Sequence, residues 1–336
     1  MNYTITTLAS HSCLQILKGA KDEGFATCAI ATSDKTAFYG NFKFIDEIIQ
    51  IETYSRFYSL EEKLKAKNAI VVPHGSFVAY LGEGGDEKIS LPYFGNKKVL
   101  KIEGDRVLQH EWLRKAKLNL PKAYSQIEEV DKPVIVKLYG AKGGSGYFTA
   151  VNKKQLTEKL KKFHFQDKKY FIQEYIIGVP VYLQYFYSPL QQKVELMGID
   201  RRYETNVDGL GRLPSDIQLN YPLEPSYTVI GNFPIVLRES LLPKAYQMAD
   251  KVVASSKKII PPKGLIGPFC LETIITPNQE FYCIEISCRI VAGTNLYING
   301  SPYTDLYYGQ PMSTGRRIAK EIREAITQRR LDEILD

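Results

Sequence analysis

Two glutamates stand in one of the most apolar stretches of the chain, "GPFCLETIITPNQEFYCIEISCR" (267–289). "TPNQ" (276–279) holds turn residues between two β-rich runs, so the stretch predicts a β-hairpin. Moving an unpaired carboxylate out of water is costly, and Glu272 and Glu285 therefore need a cation. With Ile275 and Glu280 flanking the turn, Glu272 lies opposite Cys283 and Glu285 opposite Cys270. Side chains alternate along a strand and opposed residues share a face. The two acids then sit diagonally on one face, about 7–8 Å apart at the backbone, close enough to meet on one ion. A turn with an odd number of residues would break this parity. Ser287 and Arg289 extend the same face, while Leu271, Ile284 and Ile286 point into a core. Oxygen ligands beside a phosphate-binding arginine suit Mg²⁺, which takes few protein carboxylates and completes its sphere with water and nucleotide phosphate. Rim salt bridges to lysines are the bland alternative.

A nucleotide is therefore the ligand to look for. In "VIVKLYGAKGGSGYF" a strand ends at Lys137 and a loop follows with Gly140, Gly143, Gly144, Ser145 and Gly146. Glycines let backbone N–H groups approach phosphate oxygens, and Lys137 adds a point charge. A P-loop is excluded, because no Gly-Lys-Ser/Thr opens a helix here. Instead "YFTA" resumes a strand, so the loop predicts a flap between antiparallel strands. "YFIQEYIIG" (170–178) carries Glu174, Tyr175 and Ile176 and ends at Gly178. It reads as a hinge offering backbone groups to an adenine edge, or else as a plain core strand with one exposed acid.

The elements that position these residues follow from pattern. "YTITTLA", "SHSCLQILKGAKDEG", "FATCAIA", "FKFIDEIIQI", "SLEEKLKA" and "AIVVP" alternate strand and helix, which is βαβ order and implies a parallel sheet. A helical stretch covers about 99–118, a lysine-rich helix 153–163 and a long helix 238–258. The C-terminal helix sets Ile318, Ile322, Ile326 and Leu331 along one side, a stripe for core packing or a subunit contact. The fold class is α/β and α+β. The expected division is 1–98 (N-terminal βαβ domain for the substrate), 99–180 (small subdomain with the flap) and 181–336 (large subdomain with the metal site).

Composition narrows the field. With 336 residues, 44% apolar and 24% charged, the chain is an ordinary globular protein of two or three subdomains. A net charge of +7 spread along the chain suits anionic small molecules and gives no nucleic-acid track. Five cysteines form no CxxC pair, so free thiols in a reducing, cytoplasmic setting are expected; a Cys270–Cys283 disulfide is a weak possibility. No signal peptide or membrane span is read.

Strand-lysine, glycine flap, hinge strand, long insertion and two carboxylates on a hairpin is an order that resembles the ATP-grasp fold. "LASHSCLQILKGAKDEGF", "PHGSFVAYLG", "DRRYETNVDGLGR", "GNFPIVLRESLLPKAYQMAD" and "EISCRIVAGTNLYINGSPY" resemble the archaeal formate-dependent phosphoribosylaminoimidazolecarboxamide ligases, over essentially the whole chain. The resemblance implies an N-terminal Rossmann-like domain and an ATP-dependent C–N ligase of purine biosynthesis. Its substrates would be formate, ATP and 5-aminoimidazole-4-carboxamide ribonucleotide (AICAR), its metal Mg²⁺ or Mn²⁺, and its assembly a homo-oligomer, trimer or hexamer. It further implies that His11, Ser76 and Asn232 contact the ribonucleotide. Lys137, the flap, the hinge and Glu204 would contact ATP, and Glu272 and Glu285 would hold the metal. Catalytic roles fall to His11, Lys137 and Arg289. The family hairpin often reads Glu-x-Asn; here Ser287 replaces the asparagine. Two alternatives stay open: a paralogous carboxylate–amine ligase, or a nucleotide-binding sensor with weak turnover. Arg201 and Arg202 are left without a role, rim salt bridges being their simplest reading.

Overall fold

Short runs of small and β-branched residues, buried on both faces, make the first sheet. In this computed structural model, which describes residues 3–82, 84–138, 146–165, 168–220 and 226–336, that sheet is parallel with order β3-β2-β1-β4. Its strands are β1 (Thr4–Leu8), β2 (Ala26–Thr32), β3 (Glu47–Ile51) and β4 (Ala69–Val71). Double-sided burial is what such a sheet requires. The Cys13–Asp22 helix packs on it and stops at Gly24, whose φ of +84° suits glycine.

A second, antiparallel sheet of order β5-β8-β6-β7 comprises β5 (Ala123–Tyr124), β6 (Val134–Leu138), β7 (Tyr147–Ala150) and β8 (Tyr170–Glu174). Val134, Val136, Phe148 and Ile172 pack against Leu156 and Leu160 of the Lys153–Lys162 helix. Alternation therefore sends Lys137 to the opposite face.

The third sheet, antiparallel with order β11-β10-β9-β12-β13, is built from β9 (Val179–Ser188), β10 (Lys193–Glu204), β11 (Val229–Pro234), β12 (Gly267–Ile275) and β13 (Phe281–Ser287). One face, with Leu183, Leu271 and Ile286, shares a core with the Leu242–Ile259 helix. The other face is polar over half its width.

Two expectations change. The helical stretch near 99–118 is broken at Asp105, whose carboxylate accepts from the N–H groups of Val107 and Leu108 at 2.8 and 3.1 Å. This N-cap starts a second helix, Arg106–Lys115, after Lys97–Gly104. Val99, Trp112 and Leu113 then join the core of the third sheet rather than the small sheet with which the sequence groups them. The C-terminal helix, Thr314–Gln328, buries Ile318, Ile322 and Ala325 against the Cys13–Asp22 helix, so of the two readings of its stripe core packing is the one observed. The two backbones touch: a Cβ on Gly19 would lie 2.2 Å from the Arg316 nitrogen. All five cysteines are free and buried, Cys270 facing Ser287 and Cys283 facing Thr273. Among the described residues no helix is long and apolar enough to cross a membrane.

Candidate active site

The hairpin departs from the simple register. Five residues, 276–280, separate Ile275 from its partner Phe281, so the turn is odd. A one-residue bulge at Ile284, between the pairs Thr273–Cys283 and Glu272–Glu285, restores the parity. Glu272 therefore opposes Glu285 directly, not Cys283, and Cys270 opposes Ser287, not Glu285. The shared face survives, and the acids come closer than a diagonal pair, with Cβ atoms about 4.5–5.5 Å apart. A straight row crosses four strands: Asp200, Tyr182, Glu272, Glu285.

Each acid already has a cation. Arg202 donates to Glu272 Oε1 and lies 4.0 Å over the Tyr182 ring. Arg106 Nη1 stands 3.3 Å from Glu285 Oε2. Burial pushes the Glu285 carboxyl up, yet Arg106, Lys137 and Arg202 outweigh it and hold the group below its ordinary range. Burial likewise lowers the Lys137 ammonium, and the attraction of Glu285 returns part of the loss. Lys137 and the acids thus feel one another across the cleft between the second and third sheets. Ser287 Oγ donates to Glu272 Oε1 at 3.5 Å, so the residue that replaces the family's asparagine does reach the site. The rim reading holds for Arg201, exposed and paired with half-buried Asp208 at 3.2 Å, and fails for Arg202.

The donor set is hard oxygen. Among the described residues no group of three His, Cys, Asp or Glu side chains could hold a metal. Two opposed carboxylates and a hydroxyl fit Mg²⁺ or Mn²⁺, which draw their other ligands from phosphate and water.

Around the cleft lie the other candidates. Glu204 is half-buried at the end of β10, and burial, opposed by Arg202, pushes its carboxyl up to about 7. Its charge acts on Tyr147 and Tyr227, whose ring centroids are 4.9 Å apart. Gly146, with φ +80°, accepts from the Leu138 N–H at 2.8 Å and closes the hairpin between β6 and β7. Gly140, Gly143, Gly144 and Ser145 lie outside the described residues. Glu174 keeps its carboxylate for Lys132 at 2.6 Å and the Lys122 N–H at 3.3 Å. The Tyr175 N–H donates to the Pro133 carbonyl at 2.8 Å, and half-buried Ile176 follows it. Only carbonyls and later N–H groups of this hinge are left for a ligand.

A second cluster gathers at the carboxyl edge of the parallel sheet. His11 has φ +50°, a left-handed conformation rare outside glycine, and such strain is characteristic of functional positions. Its carbonyl accepts from Asn295 at 3.2 Å, its Nδ1 lies 2.8 Å from Ser12 Oγ, and its ring stacks on His74 with centroids 5.4 Å apart. His74 Nε2 donates to the Leu8 carbonyl at 2.9 Å, which leaves Nδ1 to accept from the Ser76 N–H at 3.2 Å. Gly75 is wedged in this cluster. A Cβ there would lie 2.7 Å from His11 Nε2 and 3.2 Å from Arg289 Cζ. Arg289 itself is fixed by Glu103 at 2.9 Å, and Glu103 also accepts from the Cys288 N–H at 2.6 Å. Burial first, then Arg289, pushes the His11 imidazole down to about 2, so it is neutral. Asn232 donates from Nδ2 to Asp200 Oδ2 at 2.8 Å, and Gln184 donates to the other oxygen. Burial brings Asp200 up to about 6.

The structure thus brings Lys137, Glu272 and Glu285 together, places His11, Ser76 and Arg289 in a neighbouring cluster, and ties Asn232 to the carboxylate row through Asp200. Arg106, Glu103, Asp200 and His74 escape sequence reasoning. Asp200 and His74 stand inside the telling strings "DRRYE" and "PHGS", whereas Arg106 looks like any charged residue opening a helix.

Comparison with known proteins bears on the whole chain. A family described as "Domain of unknown function (DUF1297)" matches residues 152–336, and one described as "Protein of unknown function (DUF1246)" matches residues 5–124. The 5-formaminoimidazole-4-carboxamide-1-(beta)-D-ribofuranosyl 5'-monophosphate synthetase of Pyrococcus horikoshii is 52% identical over 336 residues, 98% of this chain and 99% of its own. The crystal structure of an IMP biosynthesis protein PurP from Thermococcus kodakaraensis matches with a TM-score of 0.80 and 34% identity, covering 99% of this chain and 100% of that one. An N5-carboxyaminoimidazole synthetase from Staphylococcus aureus, complexed with ADP, shares the fold with a TM-score of 0.64 at 17% identity, over 89% of this chain and 74% of that one.

Proposed function

Because the chain belongs to the 5-formaminoimidazole-4-carboxamide ribonucleotide synthetase (PurP) family, ATP-using ligases of purine biosynthesis built on the ATP-grasp fold, we propose the following division of labour for its residues. The reaction joins formate to the 5-amino group of AICAR at the expense of ATP. A formate oxygen attacks the γ-phosphorus and the bond to ADP breaks, giving formyl phosphate. The 5-amino nitrogen then attacks the formyl carbon, phosphate leaves, and the nitrogen loses a proton to give the formamido nucleotide.

ATP lies between the second and third sheets. The glycine flap (Gly143, Gly144, Ser145, Gly146) and Lys137 meet its phosphates, the Glu174–Ile176 backbone meets the adenine, and Glu204 accepts from the ribose. Glu272 and Glu285, with Ser287 beside them, would hold Mg²⁺ or Mn²⁺, whose chemistry is to neutralise charge on the transferring phosphoryl group. Arg202 and Arg106, which balance the two acids, are then free to turn toward phosphate. Arg289, locked by Glu103, presents a cation where the carboxylate and acyl phosphate charge gathers. His11, neutral beside Arg289, orients substrate through hydrogen bonds. Asp200 holds Asn232 so that its Oδ1 remains an acceptor for substrate N–H.

The observation that carries this reading is the direct opposition of Glu272 and Glu285 on the face that Lys137 influences. It is tested by incubating the protein with AICAR, ATP, Mg²⁺ and isotopically labelled formate. Label in the formamido nucleotide, with one ADP per product, supports it. ADP release that ignores formate or AICAR overturns it.

A further inference from the structure

We propose that Lys35, Tyr80 and Ser10 form, together with Ser76, the subsite that takes the 5'-phosphate of the ribonucleotide and makes the enzyme choose nucleotide over nucleoside. The inference rests on the ribonucleotide reading above and deepens it.

The subsite lies where an open α/β sheet places ligands, outside the strand carboxyl ends at the point where the strand order reverses. In the order β3-β2-β1-β4 that point falls between β1 and β4. Ser10 follows β1, Ser76 follows β4, and Lys35 follows β2. Lys35 Nζ stands 4.9 and 5.2 Å from the ring centroids of Tyr54 and Tyr80, and donates to their hydroxyls at 3.3 and 3.4 Å. The Tyr54 hydroxyl spends its hydrogen on the Ala9 carbonyl at 2.8 Å, so it faces Lys35 with lone pairs. Tyr80 OH lies 3.0 Å from Ser10 Oγ, which lies 3.3 Å from Ser76 Oγ.

What this cluster lacks is an anion. Lysines elsewhere on the same domain, Lys18, Lys21, Lys65 and Lys67, each pair with a carboxylate, whereas the groups that act on Lys35 among the described residues are the two tyrosines. Burial disfavours its charge, but the bonds to Tyr54 and Tyr80 more than offset this, so it stays an ammonium. One fixed cation with three hydroxyls suits a phosphomonoester, and the hydroxyls can rotate to donate to it. Ser10 and Ser76 are the chain neighbours of His11 and Gly75. A phosphate here therefore points the rest of the nucleotide at His11 and Arg289.

Titration calorimetry with the full-length protein tests this, using AICAR ribonucleotide and the corresponding nucleoside. In Lys35→Met the nucleotide should bind about 10–100-fold more weakly, the worth of a charge-assisted contact, with nucleoside and ATP affinities unchanged. Lys35→Arg should recover most of the loss, and inorganic phosphate should compete with the nucleotide only where a cation stands at position 35. Equal weakening of nucleotide and nucleoside, or an unaltered nucleotide affinity in Lys35→Met, overturns the proposal. Should the wild type discriminate by phosphate yet never formylate, the proposed activity falls and the phosphate subsite stands; should it formylate while Lys35→Met discriminates equally well, the reverse holds.

Discussion

Replacing Gly75 by alanine tests the convergence of His11 and Arg289 with a single methyl group. Gly75 is not among the glycines with positive φ, so alanine meets no backbone strain there. The added Cβ would lie 2.7 Å from His11 Nε2, against an unstrained contact of about 3.5 Å, so the imidazole must retreat by about 0.8 Å. His11 is exposed, so the ring can retreat toward solvent, but not without loss. Retreat disturbs the Ser12 hydrogen bond or the stack on His74, and the backbone is pinned at φ +50° by Asn295. Arg289, whose Cζ would be 3.2 Å away, is tied to Glu103. Displacing a positioning group by about 1 Å costs about 10²-fold in rate, or about 2.7 kcal/mol on the barrier. Overpacking costs about 1–3 kcal/mol of stability, which a protein of this size tolerates. The assay is steady-state formylation with AICAR varied at saturating ATP and formate, alongside ATP binding measured separately. Turnover should fall by about two orders of magnitude with ATP affinity intact. Wild-type turnover in Gly75→Ala would show that the His11–Arg289 pair does not touch the reacting groups.

Other perturbations read other parts of the site. Glu285→Gln keeps the shape but removes one of the opposed charges, and turnover should drop by about 10²–10³-fold with an unchanged circular dichroism spectrum; full activity would cancel the metal assignment. Glu204, held up near 7 by burial, is half-ionised at neutral pH, so ATP affinity should rise as pH goes from about 6 to 8 and become flat in Glu204→Gln. The same raised value means that this group's contribution to stability is greatest below its ordinary range and declines as pH rises through about 7. A wild-type ATP affinity independent of pH would remove Glu204 from the ribose. Arg317, fully buried between Glu195 and Glu321 at 2.6 and 2.8 Å, anchors the C-terminal helix away from the cleft. Arg317→Met leaves Glu321 without its cation and Glu195 with Lys193 alone, at 3.8 Å, and should cost about 3–5 kcal/mol in denaturant unfolding; a loss below about 1 kcal/mol would show that the acids find other partners.

The parallel sheet, the flap hairpin and the carboxylate pair were legible because each rests on local pattern. Alternation, turn residues and glycine spacing act over fewer than ten positions, and β1, β2, β6 and β12 fall where the pattern puts them. Packing across the chain was not legible. The Ile318–Ile322 stripe predicts an apolar partner without naming it, and the partner is the Cys13–Asp22 helix some 300 residues earlier. Trp112 joins the core beneath the third sheet by the same long-range selection, donating to Ser255 of the Leu242–Ile259 helix at 2.9 Å. Counter-ions are hidden for a related reason. Arg106 reaches Glu285 across 179 positions, and nothing near it in sequence separates it from a solvated arginine. Glu103 looks like a helix-surface acid until Arg289 and the Cys288 N–H close on it.

The hairpin joins these two limits in one place. Sequence parity assumed an even turn and no irregularity; the structure has an odd turn and one bulge, and the two departures cancel at Glu285. Had either occurred alone, Glu285 would point into the apolar core with Leu271, and Ile286 would turn out of it. The bulge has a second consequence. It frees Ile284 from pairing, and this residue lines a small cavity with Lys137, Arg106 and Gln173. One inserted residue thus turns a carboxylate toward Glu272 and sets an aliphatic wall beside the lysine that must face phosphate. Because β-bulges re-aim side chains without disturbing the strands on either side, this one accounts for two acids surviving in so apolar a hairpin.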